Sequence, residues 1–190
     1  VTLDMVSGYY VTRDVAAAFP TDPAGGTEVE LTDDSFAEVP LAGGVKIPFY
    51  GQLQDRVFIG SNGYVTFGAG DSSYMLGDAG LHFILPRVSA LFGDLQPGGG
   101  GTVSYRQLAD RLAVTFENVE DLWTGAENDF QIELFFDGRI ALTYLQAGAF
   151  MSAAGLSEGK GSPAELVESD FSAAPSTLAT RPEFTVHPQT

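Results

Sequence analysis

The chain contains no cysteine. That absence excludes a disulfide framework, a thiolate metal centre and a cysteine nucleophile. It leaves secretion open, because a chain of 190 residues buries about 70% of its unfolded surface without covalent staples. Cationic residues are scarce: Lys and Arg number 9 against 25 Asp and Glu, a formal charge of −16 at pH 7. Such a surface repels phosphate backbones and anionic bilayers, so neither nucleic acid nor membrane insertion is expected. No stretch of 18 apolar residues offers a membrane span. Histidine occurs twice, at His82 and His187, with no H-E-x-x-H pattern and no pair at ligand spacing, which leaves little for imidazole-based acid–base work or zinc binding. Asn-x-Ser/Thr is absent, so no N-glycan site is encoded.

A sustained 3.6-residue apolar period is also missing. In its place are short alternating segments punctuated by Gly, Asn, Asp and Pro. Val57–Ser61 and Tyr64–Phe67 flank Asn62-Gly63, and Gln131–Phe136 and Arg139–Leu145 flank Asp137-Gly138. Both dipeptides tolerate positive φ and predict two-residue type I′ hairpins. Ile132, Leu134 and Phe136 share one face of their strand, as do Ile140, Leu142 and Tyr144 of the next. Thr102–Arg106 and Leu112–Phe116 form another pair, with a turn at Ala109-Asp110. Glu28–Leu31, Val45–Phe49 and Val88–Phe92 add further strands, Ala153–Leu156 and Glu183–Val186 are weaker candidates, and eight to ten strands are expected. The best helix start is at Pro163–Val167. With 14 Phe, 7 Tyr and one Trp to fill a core, the reading is all-β: an antiparallel two-sheet β-sandwich, jelly-roll-like, with little helix. Residues 1–190 form a single domain. Gly98–Gly101 is a loop within it, having strands on both sides and no Lys-Ser/Thr of a phosphate cradle.

The pieces Ile47-Pro48-Phe49-Tyr50-Gly51, Val57–Gly68 (with Ser61-Asn62-Gly63-Tyr64-Val65-Thr66-Phe67-Gly68 the most specific phrase), Ala90–Leu95, Gly101–Arg106, Leu112–Val119 and Phe130–Leu134 occur in that order. In this they resemble a nidogen-like (NIDO-type) domain, whose core here spans 45–145. Gly155–Gly159 followed by Glu168–Ser172 is similar to the bacterial form, a module of large secreted or surface proteins. Phe92 stands where the family often has Trp. The resemblance implies an extracellular adhesion or interaction module whose shared residues are structural: Asn62-Gly63 turning the chain, Phe58, Tyr64 and Phe67 filling the core, and Asp94 hydrogen-bonding a loop. The opening Val1-Thr2-Leu3, without Met or signal peptide, reads as a fragment of a longer protein, whose remainder could be a secreted hydrolase.

Few constellations could carry chemistry. Gly155-Leu156-Ser157-Glu158-Gly159 fits G-x-S-x-G, with Asp170 and His187 following in hydrolase order, but no βαβ context supplies the strained elbow that the motif needs. His82, inside an apolar run, reads as a structural or edge residue. Acidic loops are more informative. Asp33-Asp34, Asp71 with Asp78, and Glu120, Asp121, Glu127 with Asp129 are the visible clusters. If Ca²⁺ binds through hard loop oxygens, the last set is the expected ligand group; the competing reading is a solvated acidic loop. Trp123 lies in the same loop. It suggests sugar stacking with Asp121 and Asp129 accepting hydroxyl hydrogen bonds, against the plainer reading of an aromatic capping the core. Tyr9, Tyr10 and Tyr74 are lesser exposed-aromatic candidates.

The expected function is therefore a non-catalytic extracellular adhesion or protein-interaction module. The alternatives are a carbohydrate-binding accessory module of a secreted hydrolase, for which Trp123 would be exposed, and a spacer, which would carry no apolar patch. No catalytic residue is assigned.

Overall fold

The structure, a computed structural model, describes residues 16–77 and 79–164 and the backbone of 2–3 and 11–12. The strands are β1 (Thr2–Leu3), β2 (Val11–Thr12), β3 (Thr27–Glu28), β4 (Phe36–Pro40), β5 (Ile47–Phe49), β6 (Gln52–Gln54), β7 (Arg56–Gly60), β8 (Tyr64–Thr66), β9 (Pro86–Phe92), β10 (Leu95–Gln96), β11 (Thr102–Gln107), β12 (Arg111–Asp121), β13 (Glu127–Phe135), β14 (Ile140–Gln146) and β15 (Ala153–Glu158). One antiparallel sheet runs β2-β1-β14-β13-β12-β11-β3, with β10 also on β12; the second runs β15-β9-β8-β7-β4, and β5-β6 form a separate hairpin. Helix is confined to three short 3₁₀ turns among the described residues. The expected all-β sandwich is what forms. The Pro163 helix start falls largely, and the 183–186 strand wholly, outside the described residues.

Register explains the core. Leu112, Val114 and Phe116 of β12 oppose Leu134, Ile132 and Phe130 of β13; Ile132 and Leu134 in turn oppose Leu142 and Ile140 of β14. The three strands thus offer continuous apolar rows on one face. Phe116 and Phe130 stack at 4.4 Å between ring centroids. Against these rows the smaller sheet sets Val57, Ile59, Val65, Val88 and Ala90, all in the same buried cluster. Each buried Val, Leu, Ile or Phe side chain among them contributes roughly 1.5–3 kcal/mol. Tyr144 joins the layers, its phenol donating to the Ala90 carbonyl at 2.6 Å, and burial raises its pKa.

The two predicted hairpins form, but not through two-residue type I′ turns. Gly60 pairs with Tyr64, leaving three loop residues, and of these only Gly63 has positive φ (83°). Likewise Phe135 N–H donates to the Arg139 carbonyl, and Gly138 alone is left-handed at 95°. A three-residue loop needs left-handed geometry only at its last residue, which glycine supplies. A β-carbon on Gly63 would also lie 2.2 Å from the Leu91 carbonyl oxygen. Strand β4 went unread in the sequence, since Glu38 and the terminal Pro40 mask its short apolar pattern.

Both outer faces are partly buried. Arg87 and Ser89 alternate outward on β9 yet are fully covered. The chain between β8 and β9 lays Met75 and Leu81 over Tyr64 and Phe92 as a second small core, so Tyr64 packs outside the main core rather than in it. Arg87 lies 4.2 Å and 4.5 Å from the ring centroids of Tyr64 and Phe92 and pairs with Asp71. On the larger sheet Thr21 reaches Gln131 and Glu133, donating to Glu133 Oε1 at 2.6 Å, while Gln131 Nε2 donates to Thr115 Oγ1 at 2.8 Å.

Candidate functional site

The antiparallel strand order gathers six loop segments at one end of the sandwich: 32–35, 61–63, 73–77, 93–94, 122–126 and 147–152. Buried polar side chains wire them together. Asn62, fully buried, donates through Nδ2 to Asp34 Oδ1 at 2.8 Å and to the Ser73 carbonyl at 3.3 Å, and accepts from Leu95 N at 2.7 Å. Asn128 donates to the carbonyls of Val119 and Ala126 and accepts from the amides of Gly148 and Ala149. Asp121 Oδ1 accepts from the amides of Trp123 and Thr124 and from Thr124 Oγ1, and its Oδ2 accepts from Phe150 N at 2.9 Å. Loops far apart in sequence are thereby fixed to one another, because a buried amide or carboxylate left unpaired would cost 1–3 kcal/mol or more.

Trp123 sits on this scaffold. The residue is 61% exposed, yet its indole Nε1 donates to Asp94 Oδ2 at 2.7 Å and Leu122 N donates to the Asp94 carbonyl. The role expected for Asp94, bonding a loop, is the one it plays. Leu122, Phe150 and Met151 are also exposed. Phe150 hangs from the same carboxylate that fixes the Trp123 turn, and the Met151 sulfur lies 3.9 Å from the Cβ position of Gly77. Beside Trp123, carboxylate oxygens of Asp33, Asp34 and Asp94 lie within 4.8 Å of one another. Burial is the first cause of the raised Asp94 pKa; the indole N–H opposes it, and Asp34, Asp33 and Asp121 add to it.

A family model described as NIDO related matches residues 9–190. The chain belongs to this NIDO-related family. Comparison with curated proteins and with solved structures gives no match. The NIDO-related phrase Ser61-Asn62-Gly63-Tyr64 now has a physical reading. Asn62 bridges loops, Gly63 permits close approach to Leu91, and Tyr64 covers the outer-face arginine.

The acidic residues singled out around Trp123 do not converge. Asp121 is buried with both oxygens engaged, and Asp129 Oδ1 accepts from Asn118 N at 2.8 Å, capping the bulge where the β12–β13 register shifts between Phe116 and Val119. Glu120 and Glu127 face each other across the ladder. Among the described residues the acidic group close enough to share a cation is instead Asp33, Asp34 and Asp94. Its first two members stood out in the sequence; Asp94 was legible only as a loop tie. Asp71 pairs with Arg87 rather than with an acidic neighbour, and Asp78 lies outside the described residues, as do Tyr9, Tyr10, Asp170 and His187.

Ser157 is buried in the extended strand β15, antiparallel to β9, and its Oγ accepts from Gly159 N at 3.0 Å; no strand-to-helix elbow is formed. His82 is buried with Nδ1 3.0 Å from Ser89 Oγ. Burial pulls its pKa down to about 4; a hydrogen bond to the Leu156 backbone opposes this, and the Arg87 charge adds to it. It is a neutral cross-strand link near pH 7.

Proposed function

We propose that this NIDO-related domain is a non-catalytic extracellular interaction module that engages a protein partner through its loop end, with Trp123 as anchor. The observation that carries the reading is the combination of high exposure and fixed geometry at Trp123: 61% of the residue is open while its ring nitrogen and its backbone amide are both held. A solvent-facing tryptophan on a rigid turn, flanked by exposed Leu122, Phe150 and Met151, has the makeup of a binding hot spot, since little conformational entropy remains to be lost. A spacer has no use for such a patch. That nidogen-like domains are typically extracellular supports the location.

The exposed indole also supports a second reading, a carbohydrate-binding accessory module of a secreted hydrolase. Against it, Asp121 is saturated by backbone and Thr124 donors and Asp129 caps a bulge, so neither carboxylate is set beside the ring for sugar hydroxyls. Selection of the immobilised domain against a random-peptide phage library, in parallel with a glycan array, separates the two. Peptides that enrich on the wild type and not on Trp123→Ala are the expected result. Glycan binding lost in Trp123→Ala, without such peptides, overturns the protein-partner reading.

A further inference from the structure

Resting on the Trp123 reading, we propose a chemical class for the partner: a cationic segment, carrying two or more Lys or Arg beside an aromatic or aliphatic anchor. The apolar part of the surface is Leu122, Trp123, Phe150 and Met151, exposed by 41%, 61%, 48% and 51%. Its exposed charges are of one sign; Arg87, which reaches this end, is fully buried and paired with Asp71. No Lys or Arg occurs in residues 28–37, 61–77, 93–101, 112–131 or 145–157, the stretches that build this end. Asp33, Asp34 and Asp94 crowd together there, and the side-chain donors to Asp34 and Asp94 are neutral, the Asn62 amide and the Trp123 indole. Neutral donors orient a carboxylate but leave its charge uncancelled.

At the opposite end charges are partly compensated. Arg56 pairs with Glu38 and Asp55, Arg111 with Asp110 and Glu133, and Arg139 with Asp137. Among the described residues, no ion pair engages Asp33, Asp34 or Asp94. The raised pKa of Asp94, to which burial contributes first and Asp34 and Asp33 add, is consistent with uncompensated negative potential. A peptide that seats an apolar side chain on Trp123 while setting Lys or Arg against Asp33 and Asp34 matches both halves of the surface, and opposite charge at the rim speeds encounter.

The peptides recovered in a Trp123-dependent manner test this directly. Their sequences are expected to be enriched in Lys and Arg over the unselected library. A synthetic version of the most enriched peptide, measured by fluorescence anisotropy, should lose affinity on going from about 50 to 300 mM NaCl, where the Debye length falls below 10 Å. In the Asp33→Asn/Asp34→Asn variant its association rate should fall roughly three- to tenfold. Asn keeps an acceptor for Asn62 and tolerates the φ of 48° at position 34, so the melting temperature is a control for folding. Trp123-dependent peptides without excess cationic residues, or with binding indifferent to salt and to the double variant, overturn the cationic assignment and leave the Trp123 reading standing. A library that yields no Trp123-dependent peptide overturns both.

Discussion

The two ends of the sandwich solve the same problem, closing antiparallel strands, by different means. At the turn end, Gln107 to Arg111 and Phe135 to Arg139 reverse in tight loops, and apart from the buried Glu133 that Arg111 also meets, the charges are exposed pairs: Arg139 with Asp137, Arg111 with Asp110, Arg56 with Asp55 and Glu38. Arg111 and Arg139 also lie 4.4 Å and 4.2 Å from the Phe135 ring centroid. At the loop end no exposed cation occurs among the described residues, Arg87 being buried and paired with Asp71, and the order comes from buried Asn62, Asn128 and Asp121, each holding backbone from distant parts of the chain. Surface pairs of the first kind contribute about 0–1 kcal/mol, whereas an amide or carboxylate buried under several donors is expensive to disturb. Stability should therefore be insensitive to charge changes in the exposed pairs of the turn end and sensitive to single polar changes at the loop end, although the loop end is the one that displays a binding surface.

Asn62→Ala gives the widest separation. It orphans Leu95 N, removes the partner of Asp34 and releases the Ser73 carbonyl. The expected loss is about 3 kcal/mol, or roughly 10 °C in Tm for a domain of this size, by thermal unfolding. Glu38→Ala at the turn end, breaking a pair whose side chains are 49% and 46% exposed, should move Tm by no more than about 2 °C. Equal effects would remove the distinction between the ends.

A smaller effect is expected from Asp121→Asn. One oxygen remains to accept from Trp123 and Thr124, but the amide nitrogen offers nothing to Phe150 N, whose bond at 2.9 Å is lost. The cost should be about 1–2 kcal/mol, and amide exchange at Phe150 should accelerate more than at residues in β13. Retained protection at Phe150 would show that the carboxylate does not hold the 147–152 loop.

How much of this was legible in the sequence depends on range. Alternation in β12, β13 and β14, with Asn-Gly and Asp-Gly between arms, announced the rows and hairpins because period-2 patterning and turn chemistry are local. The three-residue form of the turns was less legible: Asn62 can adopt the positive φ of a type I′ turn, but its side chain is recruited by Asp34 and Leu95, 28 and 33 residues away. Trp123 was readable as a candidate because it is the single Trp in an acidic loop; its anchor, Asp94, is 29 residues distant. Asp121 and Asp129 looked like ligand donors since a string of carboxylates does not say which will be consumed by backbone amides. Arg87 escaped notice altogether, because a strand position occupied by Arg normally faces water, and only the overlying 68–85 segment makes it a buried ion pair.

Acidity provides a third contrast. The Asp94 carboxyl is raised above its ordinary range, first by burial and then by nearby carboxylates. The native state therefore binds this proton more tightly than the unfolded chain, so the group's contribution to stability falls as pH rises from the unfolded value, about 3.9, through the folded one, and stays unfavourable above it. Asp94→Asn keeps an oxygen for the Trp123 indole and removes the charge. Its Tm should exceed that of wild type at pH 7, and the gap should close as pH is lowered below about 4. At the turn end Asp110 is lowered by its Arg111 partner, and being exposed, its replacement by Asn should leave the pH profile nearly unchanged. A gap for Asp94→Asn that widens at low pH would reverse the sign and exclude charge repulsion as the cause.

The gentlest test concerns Glu120 and Glu127, which are Cα partners where β12 and β13 approach the Trp123 turn. Directly opposed residues on an antiparallel pair point to the same face, and like charges there are destabilising by a fraction of a kcal/mol. Glu127→Lys turns repulsion into attraction in a region without exposed cations among the described residues. Its exposure leaves room for the longer side chain. The change should stabilise the domain by about 0.5 kcal/mol, with the gain shrinking as salt is raised. The same variant reduces the negative field beside Trp123, so it should weaken a cationic peptide while raising Tm. That opposition distinguishes a surface kept acidic for its partner from one whose acidity is incidental: incidental acidity predicts the stability gain with no change in binding.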